Sequence, residues 1–168
     1  MNSSSERAIL FVCTGNTCRS LMAEYLARNR SDPTSALFES AGIKPGPSED
    51  TYNAVETLRS RFGIDASAHV PRDLGHIDLS RFAVIVAIDD PKSSQIFQKL
   101  KTMGISTEVL VRWRIDDPYG DDLSAYERCA LALLMSLHRL QDTHSIRRNP
   151  HRLGQMPSPH AGKRQSNS

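Results

Sequence analysis

Apolar positions along the chain fall into two alternating spacings. Residues 8–13, Ala-Ile-Leu-Phe-Val-Cys, form a continuous apolar run with β-branched and aromatic members, the pattern of a strand buried on both faces. The polar stretch Thr14 to Cys18 follows. From Ser20 to about Arg30, Leu21, Met22, Tyr25 and Leu26 recur at helical spacing. A second strand is predicted at Leu37–Ser40, ended by Ala41-Gly42, and Lys44 to Asp50 reads as a loop rich in Pro, Gly and Ser. Thr51 to Phe62 predicts a helix with Tyr52, Val55, Leu58 and Phe62 on one side and Gly63 as its stop. The third strand, Phe82 to Ile88, is the longest apolar run, and Asp89-Asp90-Pro91 turns from it into a helix carrying Ile96, Phe97 and Leu100. Val109 to Val111 predicts a fourth strand, and Asp116 to Asp122 an acidic turn. A last helix from about Leu123 to Gln141 carries Leu123, Tyr126, Ala130, Leu133, Leu137 and Leu140 in a stripe.

Strand and helix thus alternate four times. Continuous apolar strands interleaved with amphipathic helices predict a three-layer α/β fold, a four-stranded parallel sheet with helices on both faces. In open sheets of this kind ligands bind beyond the carboxyl ends of the strands, which points to the segment after the first strand.

The length of 168 residues suits one domain, and a content of 39% hydrophobic and 24% charged residues is that of a globular chain. The apolar pattern stops near Arg147. Residues 147–168 hold Arg147, Arg148, Arg152, Lys163 and Arg164 and no acid, so the net charge of +2 is a basic tail on an acidic body. We expect a domain over residues 1–146 and a basic, disordered tail over 147–168. This charge distribution is not the footprint of a nucleic-acid binder. No run is long and apolar enough to cross a bilayer, and residues 8–13 are too short for a signal-peptide core. The expectation is a cytoplasmic monomer. Three cysteines, Cys13, Cys18 and Cys129, without paired spacings argue against a disulfide framework and against structural zinc. No metal or other cofactor is expected.

The candidate chemistry lies in Cys13-Thr14-Gly15-Asn16-Thr17-Cys18-Arg19-Ser20. A Cys six positions before an Arg is weak by itself. Here the pair spans a short loop that leaves a buried strand and opens a helix. Such a loop can turn several backbone N–H groups toward one point and, with the helix N-terminus, form an anion nest. Gly15 and Asn16 tolerate the backbone angles this requires. The planar fork of Arg19 can grip two phosphate oxygens. The same positive field favours the Cys13 thiolate, an in-line nucleophile toward a bound phosphoryl group that would give a cysteinyl-phosphate intermediate. Ser20 is placed to stabilise the departing thiolate. A buried structural Cys at a strand end would leave the polar loop and the Arg unexplained. The leaving group needs a proton, and Asp117, stiffened by Pro118, is the candidate donor. On composition alone an ordinary acidic turn is the plainer reading of that segment.

Leu10 to Ser20, followed by Met22-Ala23-Glu24, resembles the signature of the low-molecular-weight protein tyrosine phosphatases. Asp117-Pro118-Tyr119 resembles the general-acid loop of that family, and Ser40-Ala41-Gly42 and the stretch from Gly63 to His69 also fit. The resemblance spans roughly residues 8–141. It implies the sheet order 2-1-3-4, with Cys13 as nucleophile, Arg19 as phosphate binder and Asp117 as general acid. It implies that Asn16, Ser20, Ser40 and His69 hold the loop, and that Cys18 can form a protective disulfide with Cys13. The implied partner is a phosphorylated protein, with inorganic phosphate or vanadate as ligands. Three features depart from the family. Leu21 replaces a Pro at the helix start. Ile88-Asp89-Asp90-Pro91 replaces Met-Asp-x-x-Asn. The rim is poor in aromatics, with Tyr119 followed by Gly120 and only Tyr52 near the 43–50 loop.

Aromatic walls help select the long phosphotyrosine group. Thr17 is instead shared with protein-arginine phosphatases, which resemble this chain in having Thr there. Phosphotyrosine is the favoured substrate and phosphoarginine the alternative. Arsenate reduction would need two further relay cysteines, and only Cys129 lies outside the loop. A non-catalytic phosphoprotein-binding module would not need Cys13, Arg19 and Asp117 together.

Overall fold

Strands that are apolar on both faces need cover on both faces, and the topology supplies it. The computed structural model describes residues 8–31 and 36–148, with side chains as far as Gln141. Strands β1 (Ala8–Cys13), β2 (Leu37–Gly42), β3 (Phe82–Asp89) and β4 (Leu110–Arg114) pair in parallel, in the order β2-β1-β3-β4. The helices are α1 (Arg19–Arg30), α2 (Asp50–Phe62), α3 (Gln95–Thr102) and α4 (Leu123–Arg148), with 3-10 turns at Leu74–His76 and Leu79–Arg81.

Alternation along β1 divides the core. Ala8, Leu10 and Val12 join Ile85 and Ala87 of β3, Leu74, and Ile96 and Leu100 of α3 in one apolar cluster. Phe11 points the other way, stacked on Phe38 at 6.3 Å and tilted against Trp113 at 5.6 Å. Helix α1 packs on β1 and β2, and none of its buried side chains belongs to the cluster under α3. The helices therefore cover both faces, as expected. Leu21, which replaces the Pro usual in the resembled family, is fully buried there.

Several elements differ in detail from the sequence reading. The buried face of α2 is Asp50, Ala54, Thr57 and Leu58. Tyr52 is 71% exposed, and Val55 and Phe62 are half-buried. The expected stripe was rotated because two of the core-facing residues, Asp50 and Thr57, are polar. Leu123 likewise stands exposed, while Tyr126, Ala130, Leu133 and Leu137 are buried as expected. Strand β4 starts one residue later than predicted and runs to Arg114. It is an edge strand whose Arg112 and Arg114 hide it from an apolar-run reading. Helix α2 stops at Gly63, whose φ of 66° lets its N–H reach Arg59 O and that of Ile64 reach Leu58 O. Helix α4 extends to Arg148, beyond the expected Gln141. The predicted tail otherwise lies outside the described residues. Among the described residues no helix is long and apolar enough to cross a membrane.

Candidate active site

Strand β1 lies between β2 and β3, so the chain leaving its carboxyl end enters a crevice between connections that diverge to opposite sides. The loop Thr14–Cys18 fills that crevice and passes directly into α1 at Arg19. Its pivot is Asn16, which is fully buried and adopts a left-handed φ of 56°. Asn tolerates that conformation better than most residues. Its side chain is also saturated. Nδ2 donates to Ser20 Oγ and Ser40 Oγ, both at 2.8 Å, and Oδ1 accepts the backbone N–H of Arg72 at 2.9 Å. The Asn16 carbonyl meets His69 Nε2 at 2.9 Å.

These bonds have a direction that ends at the sulfur. Ser40 donates to the buried carboxylate of Glu24, so its oxygen is left to accept from Asn16. Because Asn16 donates to Ser20 as well, the hydroxyl hydrogen of Ser20 can point at Cys13 Sγ, 2.9 Å away, with the Ala41 carbonyl a longer alternative acceptor at 3.5 Å. Ser20 can therefore act as a donor to a thiolate. Glu24 also pairs with Arg28, and its Oε2 lies 4.0 Å from His69 Nδ1. Asn16, Ser20, Ser40 and His69 are thus brought together as the resemblance implied. Glu24, at the far end of the chain of bonds, belongs to the Met22-Ala23-Glu24 stretch of the resembled signature, where no role was assigned to it.

The loop is also pinned through its backbone. Ile43 N–H donates to Cys13 O at 3.1 Å and Lys44 N–H to Thr14 O at 2.9 Å. Gly42 sits against it so closely that a Cβ there would lie 2.6 Å from Thr14 O and 2.9 Å from the Gly15 carbonyl carbon. No side chain fits at that point.

Arg19 is almost fully buried. Its Nη1 donates to the carbonyls of Ile88 at 3.4 Å and Ile115 at 3.3 Å, at the ends of β3 and β4. Nη2 pairs with Asp117 Oδ2 at 3.1 Å. The other Asp117 oxygen accepts the N–H of Tyr119 at 3.2 Å. The Ile88-Asp89-Asp90-Pro91 segment that departs from the family pattern has a definite role. Buried Asp89 accepts N–H bonds from Ile96 (2.8 Å) and Phe97 (3.1 Å), capping α3, and lies 3.3 Å from Arg112 Nε.

A pocket of about 460 Å³ opens over the loop, lined by Cys13, Thr14, Gly15, Thr17, Cys18, Arg19, Asp117 and Tyr119. Its remaining wall is the segment Lys44 to Asp50, from which Lys44, Gly46, Pro47, Ser48 and Asp50 line it. Tyr52 was expected at this rim. It projects outward from α2 and does not line the pocket, because residues 50, 54, 57 and 58 form the buried face. Among the described lining residues Tyr119 is the one aromatic, and it is 72% exposed. The Lys44–Asp50 wall is fixed from behind. Asp50 Oδ2 accepts from Ser48 Oγ at 3.0 Å, and Oδ1 accepts from the buried Tyr126 hydroxyl of α4. Burial and that carboxylate together hold Tyr126 well above the ordinary tyrosine range, so it stays a donor.

Cys18 is buried. Burial pushes its thiol well up, and side-chain hydrogen bonding to Cys129 on α4 acts in the same direction. Its adjacency to Cys129 could not be read from a separation of over a hundred residues. Among the described residues no group of three or more His, Cys, Asp or Glu is arranged to hold a metal ion. The arrangement can seat a phosphoryl group between Arg19 and the loop amides, present a sulfur beneath it and place a carboxyl at the mouth.

The family model described as "Low molecular weight phosphotyrosine protein phosphatase" matches residues 8–151. A low molecular weight protein-tyrosine-phosphatase of Acinetobacter johnsonii is 30% identical over 128 residues, covering 74% of this chain and 89% of that protein. Arsenate reductase 1 of Staphylococcus epidermidis is 30% identical over 130 residues, covering 73% and 86%. The solved structure of an arginine phosphatase from Geobacillus stearothermophilus superposes with a TM-score of 0.69 at 25% identity, covering 86% of this chain and 97% of that one.

Proposed function

Since the chain belongs to the low molecular weight phosphotyrosine protein phosphatase family, we propose that it hydrolyses phosphotyrosine in protein substrates through a cysteinyl-phosphate intermediate. The observation that carries this reading is the convergence on one pocket of Cys13, with Ser20 Oγ 2.9 Å from its sulfur, of Arg19, and of Asp117.

The phosphate seats over the N–H groups of residues 14–18 with two oxygens on Arg19. Cys13 Sγ attacks phosphorus in line with the ester oxygen, which leaves with a proton from Asp117. The bound dianion competes with Asp117 for Arg19. Water then attacks the cysteinyl phosphate, giving its proton back to Asp117. The sulfur departs as a thiolate that receives the Ser20 hydrogen bond. Asn16, Ser40, His69 and Glu24 hold the loop, and the Asn16 donor leaves that hydroxyl able to turn its hydrogen to the sulfur.

The substrate wall also supports phosphoarginine as the alternative. Thr17 lines the pocket, the sole aromatic lining residue described is the exposed Tyr119, and a relative of similar fold is an arginine phosphatase. The test is kcat/KM on phosphotyrosine and phosphoarginine peptides, with Thr17→Ile alongside and Cys13→Ser as the inactive control. Faster phosphotyrosine cleavage, unaltered by Thr17→Ile, is expected. Preferential phosphoarginine cleavage that Thr17→Ile abolishes would transfer the assignment to the alternative. Full turnover by Cys13→Ser would end both. We further assign catalysis to residues 1–146, with 147–168 as an appended basic tail, on the strength of the apolar pattern ending there.

A further inference from the structure

Among the described residues four charged side chains line the pocket over the loop, and three of them are committed to the protein itself. Arg19 donates to the Ile88 and Ile115 carbonyls and pairs with Asp117. The second oxygen of Asp117 accepts the Tyr119 N–H. Asp50 accepts from Ser48 Oγ through one oxygen and from the Tyr126 hydroxyl through the other. The fourth is Lys44. Its side chain is exposed and has no hydrogen-bond or ion-pair partner among the described residues. The catalytic steps give it no part.

The root of this side chain is nonetheless held in place. The Lys44 N–H donates to Thr14 O at 2.9 Å, within the phosphate loop. Pro45 follows and narrows the backbone angles open to Lys44. Farther along, the wall is tied through Asp50 to Tyr126 of α4. A main chain bonded to the loop and a side chain in solvent put the ammonium at the mouth of the pocket rather than on its floor. The floor already complements a phosphate through the loop amides and Arg19. What crosses the mouth is the polypeptide that carries the phosphorylated residue.

We propose, resting on the phosphatase reading above, that Lys44 pairs with a Glu or Asp side chain next to the phosphorylated residue and so selects phosphoproteins with acidic flanks. A compact charge on a flexible stem reaches a neighbour on either side without demanding one geometry. The two carboxylates of the pocket offer no matching attraction for a basic flank, because Asp50 is bonded to Ser48 and Tyr126 and Asp117 to Arg19. An exposed pair of this kind contributes a few-fold in binding and is screened by salt. Flank contacts are the same before and during P–O cleavage, so the preference belongs in KM rather than kcat.

Peptides with Glu, Gln or Lys on both sides of one phosphorylated residue, made with phosphotyrosine and with phosphoarginine, test this. kcat/KM is measured for the wild type, Lys44→Met and Lys44→Glu. Peptide Kd is measured for Cys13→Ser, which binds without turnover, and for the same protein with Lys44→Met added. At low salt the wild type is expected to favour Glu flanks over Gln by about two- to fivefold and over Lys by about tenfold. The difference should lie in KM and fade toward about 0.5 M salt. Lys44→Met should bring the ratios close to one, and Lys44→Glu should favour Lys flanks. Each ratio is taken within one protein, so a general loss of activity in a variant cancels, and the exposed side chain leaves both variants able to fold. Wild-type ratios near one, or ratios that Lys44→Met leaves unchanged, overturn the role of Lys44 and leave the phosphatase reading standing. No turnover on any peptide overturns that reading instead, and the Kd ratios still decide on Lys44.

Discussion

At the scale of single residues, the site is organised by the direction of its hydrogen bonds. Glu24 can only accept, so Ser40 must donate to it. Asn16 then donates to both serines, and the Ser20 hydrogen has Cys13 Sγ at 2.9 Å as its near partner and the Ala41 carbonyl at 3.5 Å as its far one. The Arg72 N–H on Asn16 Oδ1 fixes the amide in the same sense. A buried network of this kind rigidifies only when every member is satisfied. Asp117 stands outside it, 39% exposed and held by Arg19 on one oxygen and the Tyr119 N–H on the other. Its role is separable on that account. Asp117→Asn is expected to slow alkyl or unactivated aryl phosphates by about 100-fold or more, and to spare substrates whose leaving groups need no proton. A plot of log kcat/KM against leaving-group acidity should be flat for the wild type and steep for the variant. Equal losses across the series would remove Asp117 from the proton-donor role.

At the scale of elements, the phosphate loop is shaped as much by β2 as by its own residues. The end of β2 passes under the loop at Gly42, the following Ile43 and Lys44 N–H groups hold Cys13 and Thr14, and Gly42 N–H itself reaches Arg72 O at 2.9 Å. Gly42→Ala places a methyl 2.6 Å from Thr14 O and 3.0 Å from Asn16 N, and the atoms met are backbone, which cannot swing aside. The loop must lift. A loss of about 1–3 kcal/mol in unfolding free energy is expected from the overpacking. The misplaced loop should also cost on the order of 100-fold in kcat/KM. Denaturant titration and aryl-phosphate kinetics on the one variant measure both. Wild-type kinetics would show that the close approach can be relieved without moving the loop. The same strand carries Ser40 on the site side of the sheet and Glu39 on the other, a consequence of alternation along the strand.

At the scale of the whole molecule, Glu39 ties the edge of the sheet to the long connection between α2 and β3. Its carboxylate meets Arg72 Nη1 at 2.7 Å and Arg81 Nη2 at 2.6 Å. Burial alone would raise it, but the hydrogen bonds and charges of the two arginines outweigh that and lower it from its ordinary 4.5. A carboxyl lowered by folding stabilises the native state above its unfolded value and loses that contribution as pH falls through its folded one. The arginines are half exposed, so the effect is modest. Glu39→Gln is expected to lower Tm by about 2–4 °C near neutrality, corresponding to roughly 1 kcal/mol. The gap from wild type should close in acid, below the ordinary glutamate range, as the wild-type carboxyl protonates. A gap that persists unchanged into acid would mean that the pair acts through packing rather than charge. The sequence by itself determined the alternation of strands and helices, the parallel sheet, and the loop from Cys13 to Ser20, because apolar periodicity and local chemistry are carried by neighbouring residues. It indicated Asp117 through the resemblance of Asp117-Pro118-Tyr119 to a family loop, since composition alone reads that segment as an acidic turn. It misjudged the buried faces of α2 and the first turn of α4, because there polar Asp50 and Thr57 turn inward while Tyr52 and Leu123 stay out. Only the tertiary structure decided what lies far apart along the chain: Glu24 behind Ser40, Gly42 beneath the loop, the Lys44–Asp50 wall anchored by Tyr126, and Cys129 against Cys18. Those pairings depend on which strands are neighbours and which helix covers them, and no local pattern encodes that.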